Sequence, residues 1–315
     1  MLLSRGKVLS AQSDSRVHFI RLSTEHFPPP HFTLGALPAI RHFLPMPSPH
    51  DYRNLIARWR NVSREAGVPL RHLARAGAHQ LYYLKTPTLG IAGGIYISAG
   101  IHGDEPASSE ALITWAERHA SRLAQMPLLL FPALNPSGLL QNTRADADGL
   151  DLNRLFHRDD HAVISAVKRV VAPHQLALAL MLHEDYDAEG FYVYEIKRAQ
   201  PFWGEALLDA ARRVIPIDTR TRIDGRTARS GLIRRRFQRT LFLKMGYPEA
   251  IWLHEFHARR SLTVETPSEF GIEQRVRAHC EVIDECVRRV LSTDTGVPER
   301  GSLNARRRGG GIALA

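Results

Sequence analysis

The chain has 315 residues, 44% hydrophobic and 23% charged, with a net charge of +10 and two cysteines. That balance suits a globular protein with a sizeable core. No run of about eighteen apolar residues offers a membrane span, and the apolar stretch near Met1 is too short for a secretory signal. Cys280 and Cys286 stand in one helical pattern, a poor spacing for a disulfide, so a reducing, cytoplasmic setting is expected.

Arginine carries almost all of the positive charge, 37 residues against five lysines. The arginines are scattered, apart from Arg234–Arg236 and Arg306–Arg308, and no zinc-finger or aromatic RNA-binding segment accompanies them. A solvated basic surface is the expectation, without nucleic acid or membrane as a partner.

Residues 1–50 read as an irregular arm, with seven prolines between 26 and 50. The spacing predicts a helix over 51–67, in which Leu55, Ile56 and Trp59 share a face and Gly67 stops the run. "LRHLARAG" and "HQLYYLKTP" read as paired strands. From there apolar runs ("GGIYISAG", "PLLLFPAL", "LALALMLHE", "GFYVYE", "SLTVETP") alternate with helical patterns near 105–120, 160–172, 203–214 and 270–291. The expectation is one α/β domain over 51–295: a mixed, mostly parallel twisted sheet with helices on both faces. Residues 296–315 read as a disordered basic tail.

In open sheets of this kind ligands bind beyond the carboxyl ends of the strands, and the suggestive polar clusters all fall there. "HGDE" separates His102 and Glu105 by two intervening residues, so a tight turn can bring both to one ion. His183 ends "LALALMLHE" and can complete a His/Glu/His set that leaves one coordination position open for water. Glu265 emerges from "LTVETP" as a candidate proton acceptor. "NPSGLLQNTRADADGLDLNRLF" supplies Arg144 and Arg154, suited to an oxyanion or a substrate carboxylate. A calcium loop is the competing reading of "DADGLD", but no glutamate stands at the twelfth position.

Taken in order, these motifs resemble the zinc metallocarboxypeptidase family over roughly residues 90–290, with features shared by its sister branch, the succinylglutamate desuccinylase and aspartoacylase-like amidohydrolases. The resemblance implies a zinc carboxypeptidase-like α/β/α fold and one zinc ion per chain, held by His102, Glu105 and His183. It implies Glu265 as the general base, and Arg144 as the group that polarises the scissile carbonyl. Asn153 and Arg154 of the D-x-N-R segment would bind a free substrate carboxylate. Tyr247 is a weak candidate for the substrate-capping tyrosine of the classical enzymes, and "EAIWLHEFHARR" is a candidate pocket segment. In it, His254 and His257 are expected to line the pocket or lie on the surface without binding metal.

The implied activity is hydrolysis of the C-terminal peptide bond of peptides by metal-activated water. The alternative is an amidohydrolase acting on an N-acyl amino acid or a murein peptide at the same site. A non-catalytic basic binding protein is the third reading.

Overall fold

Asp51 opens the first helix by accepting a hydrogen bond from Asn54 N at 3.0 Å, and Gly67 closes it in the left-handed conformation (φ 63°). Between them α1 (Tyr52–Ala66) buries Leu55, Ile56, Trp59 and Val62, a stripe at helical spacing. The computed structural model describes residues 48–196 and 200–294. Most of the expected N-terminal arm and the whole expected basic tail lie outside the described residues.

The elements after α1 are β1 (Leu70–Ala76), β2 (His79–Lys85), β3 (Ile95–Ser98), α2 (Pro106–Arg118), β4 (Leu128–Phe131), α3 (Pro136–Gln141) and α4 (Ala162–Val171). They continue with β5 (Leu176–Asp185), β6 (Tyr192–Ile196), α5 (Gly204–Arg212), β7 (Arg222–Ile223), β8 (Arg226–Thr227) and β9 (Leu232–Arg235). The chain closes through α6 (Arg239–Met245), α7 (Glu249–Phe256), β10 (Ala258–Pro267) and α8 (Ile272–Asp294). Every strand and helix expected from the sequence is present.

Eight strands form one mixed sheet in the order β1-β2-β4-β3-β5-β10-β6-β9, while β7 and β8 make a small separate hairpin. The central run β4-β3-β5-β10 is parallel, so the carboxyl ends of these four strands share one edge. Alternation along the strands divides the core. Ile95, Ile97, Leu178, Leu180 and Val264 pack with α1, α2, α5 and α8. Tyr96, Phe131, Ala179 and Met181 face α4 and α7. Both faces are therefore covered, which is why these strands read as continuous apolar runs.

Register then fixes the polar ends. Glu265 lies directly beside His183, and Val264 beside Leu182, in the parallel β5–β10 pair. No helix among the described residues is long and apolar enough to cross a membrane.

Candidate metal centre

β3 ends at Ser98, and a tight turn carries the chain through His102 and Glu105 into α2, where Pro106 takes the first helical position. The turn presses against the start of α3. A Cβ on Gly103 would lie 1.9 Å from the Gly138 carbonyl carbon, so only glycine permits this backbone approach. Both turns must therefore keep their glycines, the "HGDE" and the "NPSG" one, for the metal turn to seat.

His102, Glu105 and His183 are 2%, 3% and 3% exposed, which leaves little room for bulk water around them. His102 Nδ1 lies 2.5 Å from Glu105 Oε1, and His183 Nδ1 lies 2.8 Å from Glu105 Oε2. One donor atom from each of the three residues falls within 4.8 Å of the others. On the far side of the ring, His102 Nε2 is 3.2 Å from Asp151 Oδ1, an outer carboxylate that fixes the ring's orientation.

Burial alone would raise the Glu105 pKa, but the imidazoles of His102 and His183 outweigh it and hold the carboxyl well below its usual range. Burial would lower His102, yet Glu105 and Asp151 push it up to about 9. The cluster therefore favours positive charge at its centre. Two imidazoles and one ionised carboxylate are a donor set that zinc accepts, so the residues fit the metal. A three-residue set also leaves a coordination position for water.

The backbone of Glu265 is paired in the sheet, but its carboxylate makes no hydrogen bond among the described residues. Burial, with Glu105 and Asp185 adding to it against the pull of His183, raises its pKa well above the carboxylate range. Behind it, Glu184 faces the α2 start, accepting from Ala107 N at 2.6 Å and pairing with Arg275 of α8. Burial outweighs Arg275 there and pushes Glu184 up to about 7.

Asn135 organises the arginine loop. Its Oδ1 caps α3 at Gly138 N (2.9 Å), while its Nδ2 donates to the carbonyls of Arg144 (3.2 Å) and Ala145 (3.1 Å). Arg144 Nε donates to Asp151 Oδ2 at 3.1 Å, and its Nη1 lies 3.2 Å from His102 Nδ1. Asp151 thus touches both His102 and Arg144, and also accepts from Asn153 N at 2.9 Å. Sequence reasoning assigned Asp151 no role, although its position in D-x-N-R was the available signal.

All seven expected residues, His102, Glu105, Arg144, Asn153, Arg154, His183 and Glu265, line one cavity of about 260 Å³. Its far wall was not foreseen. Tyr192, Tyr194 and Ile196 face it at the period-2 spacing of β6, which "YVYEI" could have revealed. Tyr192 donates to Asp185 and Tyr194 to Asp224. Arg235 enters from β9 beside Ile196, its guanidinium 5.1 Å from the Phe242 ring centre, with no ion-pair partner among the described residues. Arg234 turns to the other side of the strand and pairs with Glu195 at 2.9 Å.

Tyr247 does not line this cavity. It is buried behind Arg154, with Tyr247 N donating to Arg154 O at 2.9 Å, because its short segment pairs with the 154–156 backbone. His254 and His257 lie outside the cavity as well: His254 is buried against Phe237, and His257 packs on Trp252. His254, being buried outside the cavity, corrects the expectation of a pocket or surface position, whereas His257 is partly exposed. Their neighbours Pro248, Ala250 and Ile251 at the start of α7 do line it.

The architecture is that of the zinc carboxypeptidase-like α/β proteins. A candidate metallopeptidase from Shewanella amazonensis SB2B superposes with a TM-score of 0.68 at 22% identity, covering 77% of this chain and 94% of that one. A metallo-carboxypeptidase from Burkholderia cenocepacia gives 0.58 at 17% identity over 78% and 69%. One from Pseudomonas aeruginosa, in complex with (2-guanidinoethylmercapto)succinic acid, gives 0.55 at 17% over 77% and 69%. At these identities the likeness establishes the fold. Residues 92–187, which carry six of the seven expected site residues, match the family model of the succinylglutamate desuccinylase/aspartoacylase catalytic domain. The fold is thus shared with metallopeptidases and metallo-carboxypeptidases of solved structure, and the matched segment is similar to the desuccinylase/aspartoacylase catalytic domain. A search of curated proteins returns no match.

Proposed function

We propose that the chain is a zinc-dependent carboxypeptidase, hydrolysing the C-terminal peptide bond of peptides and releasing an amino acid with a free carboxylate. The observation that carries this reading is the meeting of three chemistries in one cavity: the buried His102/Glu105/His183 set, the Glu265 carboxylate, and the Arg144–Asn153–Arg154 arc. Zinc bound there would lower the pKa of a water from about 15.7 towards ~7 and polarise the scissile carbonyl.

The chain's own groups supply the rest. Glu265 takes a proton from the attacking water as the water oxygen bonds to the carbonyl carbon. Arg144 faces the oxygen on which negative charge develops. Glu265 then passes the proton to the departing nitrogen, so the C–N bond breaks to give a carboxylate and an amine. Asn153 and Arg154 hold the free carboxylate of the leaving residue. Two buried free thiols, Cys280 and Cys286, support a reducing, cytoplasmic setting.

Arg235 favours a second reading, an amidohydrolase that removes the acyl group from an N-acyl acidic amino acid. A guanidinium at the far wall that rests on the Phe242 ring, with no ion pair among the described residues, suits an acidic side chain on the leaving residue. A substrate panel separates the two: C-terminal-varied dipeptides and tripeptides, N-acyl amino acids and murein peptides, each also as its α-amide. Cleavage of free-acid peptides, reduced at least roughly tenfold by amidation, supports the carboxypeptidase. Cleavage confined to N-acyl amino acids supports the alternative, and equal cleavage of acids and amides defeats carboxylate recognition altogether.

A further inference from the structure

Glu249 is a carboxylate buried to 0% exposure at the first position of α7, outside the reacting centre described above. Burying such a group is costly unless its oxygens are hydrogen-bonded. Its two oxygens are both used. Tyr96 of β3 donates to one, and Ser98 of β3 donates to the other at 2.9 Å. Its own backbone N–H donates to Asn153 Oδ1 at 2.9 Å.

That last bond decides which end of the Asn153 amide is free. An asparagine offers an acceptor oxygen and a donor NH2, and a carboxylate ligand needs the donor. With Oδ1 taken by Glu249 N, the NH2 is the end left for the cavity that Asn153 lines. The α7 start that holds it is pinned twice: by Tyr96 and Ser98 through the Glu249 carboxylate, and by Ser261 of β10, whose Oγ donates to Ala250 O at 2.8 Å. Ser98 stands on the strand that leads to His102, so one carboxylate references the carboxylate clamp to the metal turn.

We infer that Glu249 is a positioning residue for substrate-carboxylate binding: anchored by Tyr96 and Ser98, it holds the Asn153 amide with its NH2 towards the cavity. The inference rests on the reading of Asn153 and Arg154 as the carboxylate clamp.

The test uses N-benzoylglycyl-glutamate and its α-amide as probes, on full-length protein. It compares wild type with Asn153→Ala, Tyr96→Phe/Ser98→Ala, Glu249→Gln and the combination of the first two. The Tyr96→Phe/Ser98→Ala protein should raise KM for the free acid roughly tenfold, keep kcat within about twofold, and leave the amide's kinetics unchanged. Adding Asn153→Ala to it should contribute little further, and Glu249→Gln, which keeps an acceptor oxygen in the same volume, should retain most of the preference. A purely structural role would lower the melting temperature and affect acid and amide alike. Loss of acid preference in Asn153→Ala, with full preference kept in Tyr96→Phe/Ser98→Ala, overturns the inference while sparing the clamp. A wild type that shows no acid preference removes the clamp reading, and the inference with it.

Discussion

At the floor of the cavity, polar side chains from separate strand ends satisfy one another: Glu105 bridges two imidazoles, and Asp151 joins His102 to Arg144. At the far wall, 222–256 contributes short elements whose groups are less engaged. Arg235 rests on an aromatic face, and Asp224 accepts from the Tyr194 hydroxyl. The floor hangs from parallel central strands whose register leaves no freedom, whereas the wall is built on the outer strands β6 and β9 and on α6. Chemistry that must be rigid is placed where the core is deepest. Groups that select a substrate can occupy elements that change without unseating it.

This division can be broken by substitution. The largest effect is expected at the floor, where Glu265→Gln should lower kcat by about 10²–10⁴-fold with metal content and melting temperature unchanged. Near-normal turnover would remove the proposed base. Arg144→Ala should lower kcat and kcat/KM together, by about 10²–10³-fold, as expected for a group that meets charge only during reaction. Arg154→Ala should instead act mainly on KM, and a pure kcat defect there would reverse the two assignments.

At the wall, Arg235→Met should leave the floor's chemistry intact and reduce the preference for an acidic leaving residue roughly tenfold. Comparing glutamate- and glutamine-ended substrates measures it, and an unchanged ratio would show that Arg235 selects nothing. The smallest effect concerns the packing beneath the floor. His279 of α8 is fully buried, and burial first, then His183 and Arg275, depress its pKa to about 3. The stability contributed by its neutral ring is present above the unfolded value of about 6.5 and is lost as pH falls towards 3, at up to about 1.4 kcal/mol per pH unit. Denaturant unfolding at about pH 7.5 and 5 should show this slope, and His279→Gln should flatten it.

The same division explains what the sequence made legible. "LALALMLHE" and "SLTVETP" are apolar runs that stop abruptly at a polar residue, so His183 and Glu265 announced themselves as strand ends. The helices read correctly where a stripe and a cap agree, as with Asp51, Trp59 and Gly67 in α1. The wall lacked such signals. β9 has only four residues, two of them arginines, and α6 holds seven with no side-chain hydrogen bond at its N-cap. Whether Arg234 or Arg235 faces the cavity depends on pairing with β6, which is a tertiary fact. Asp151 was visible but unassigned, because its partners His102 and Arg144 lie 49 and 7 residues away and meet it only in the fold. Tyr247 misled for the converse reason: proximity to Glu265 in sequence does not reveal that its ring is buried behind Arg154.

The central claim is that His102, Glu105 and His183 hold one catalytic zinc, and elemental analysis of protein purified in chelator-free buffer tests it most directly. One zinc per chain is predicted for the wild type, with most of it lost in each of His102→Ala, Glu105→Ala and His183→Ala, and full retention in His254→Ala and His257→Ala. Stoichiometric zinc surviving all three ligand changes, or a folded wild type that takes up none when zinc is supplied, would contradict it.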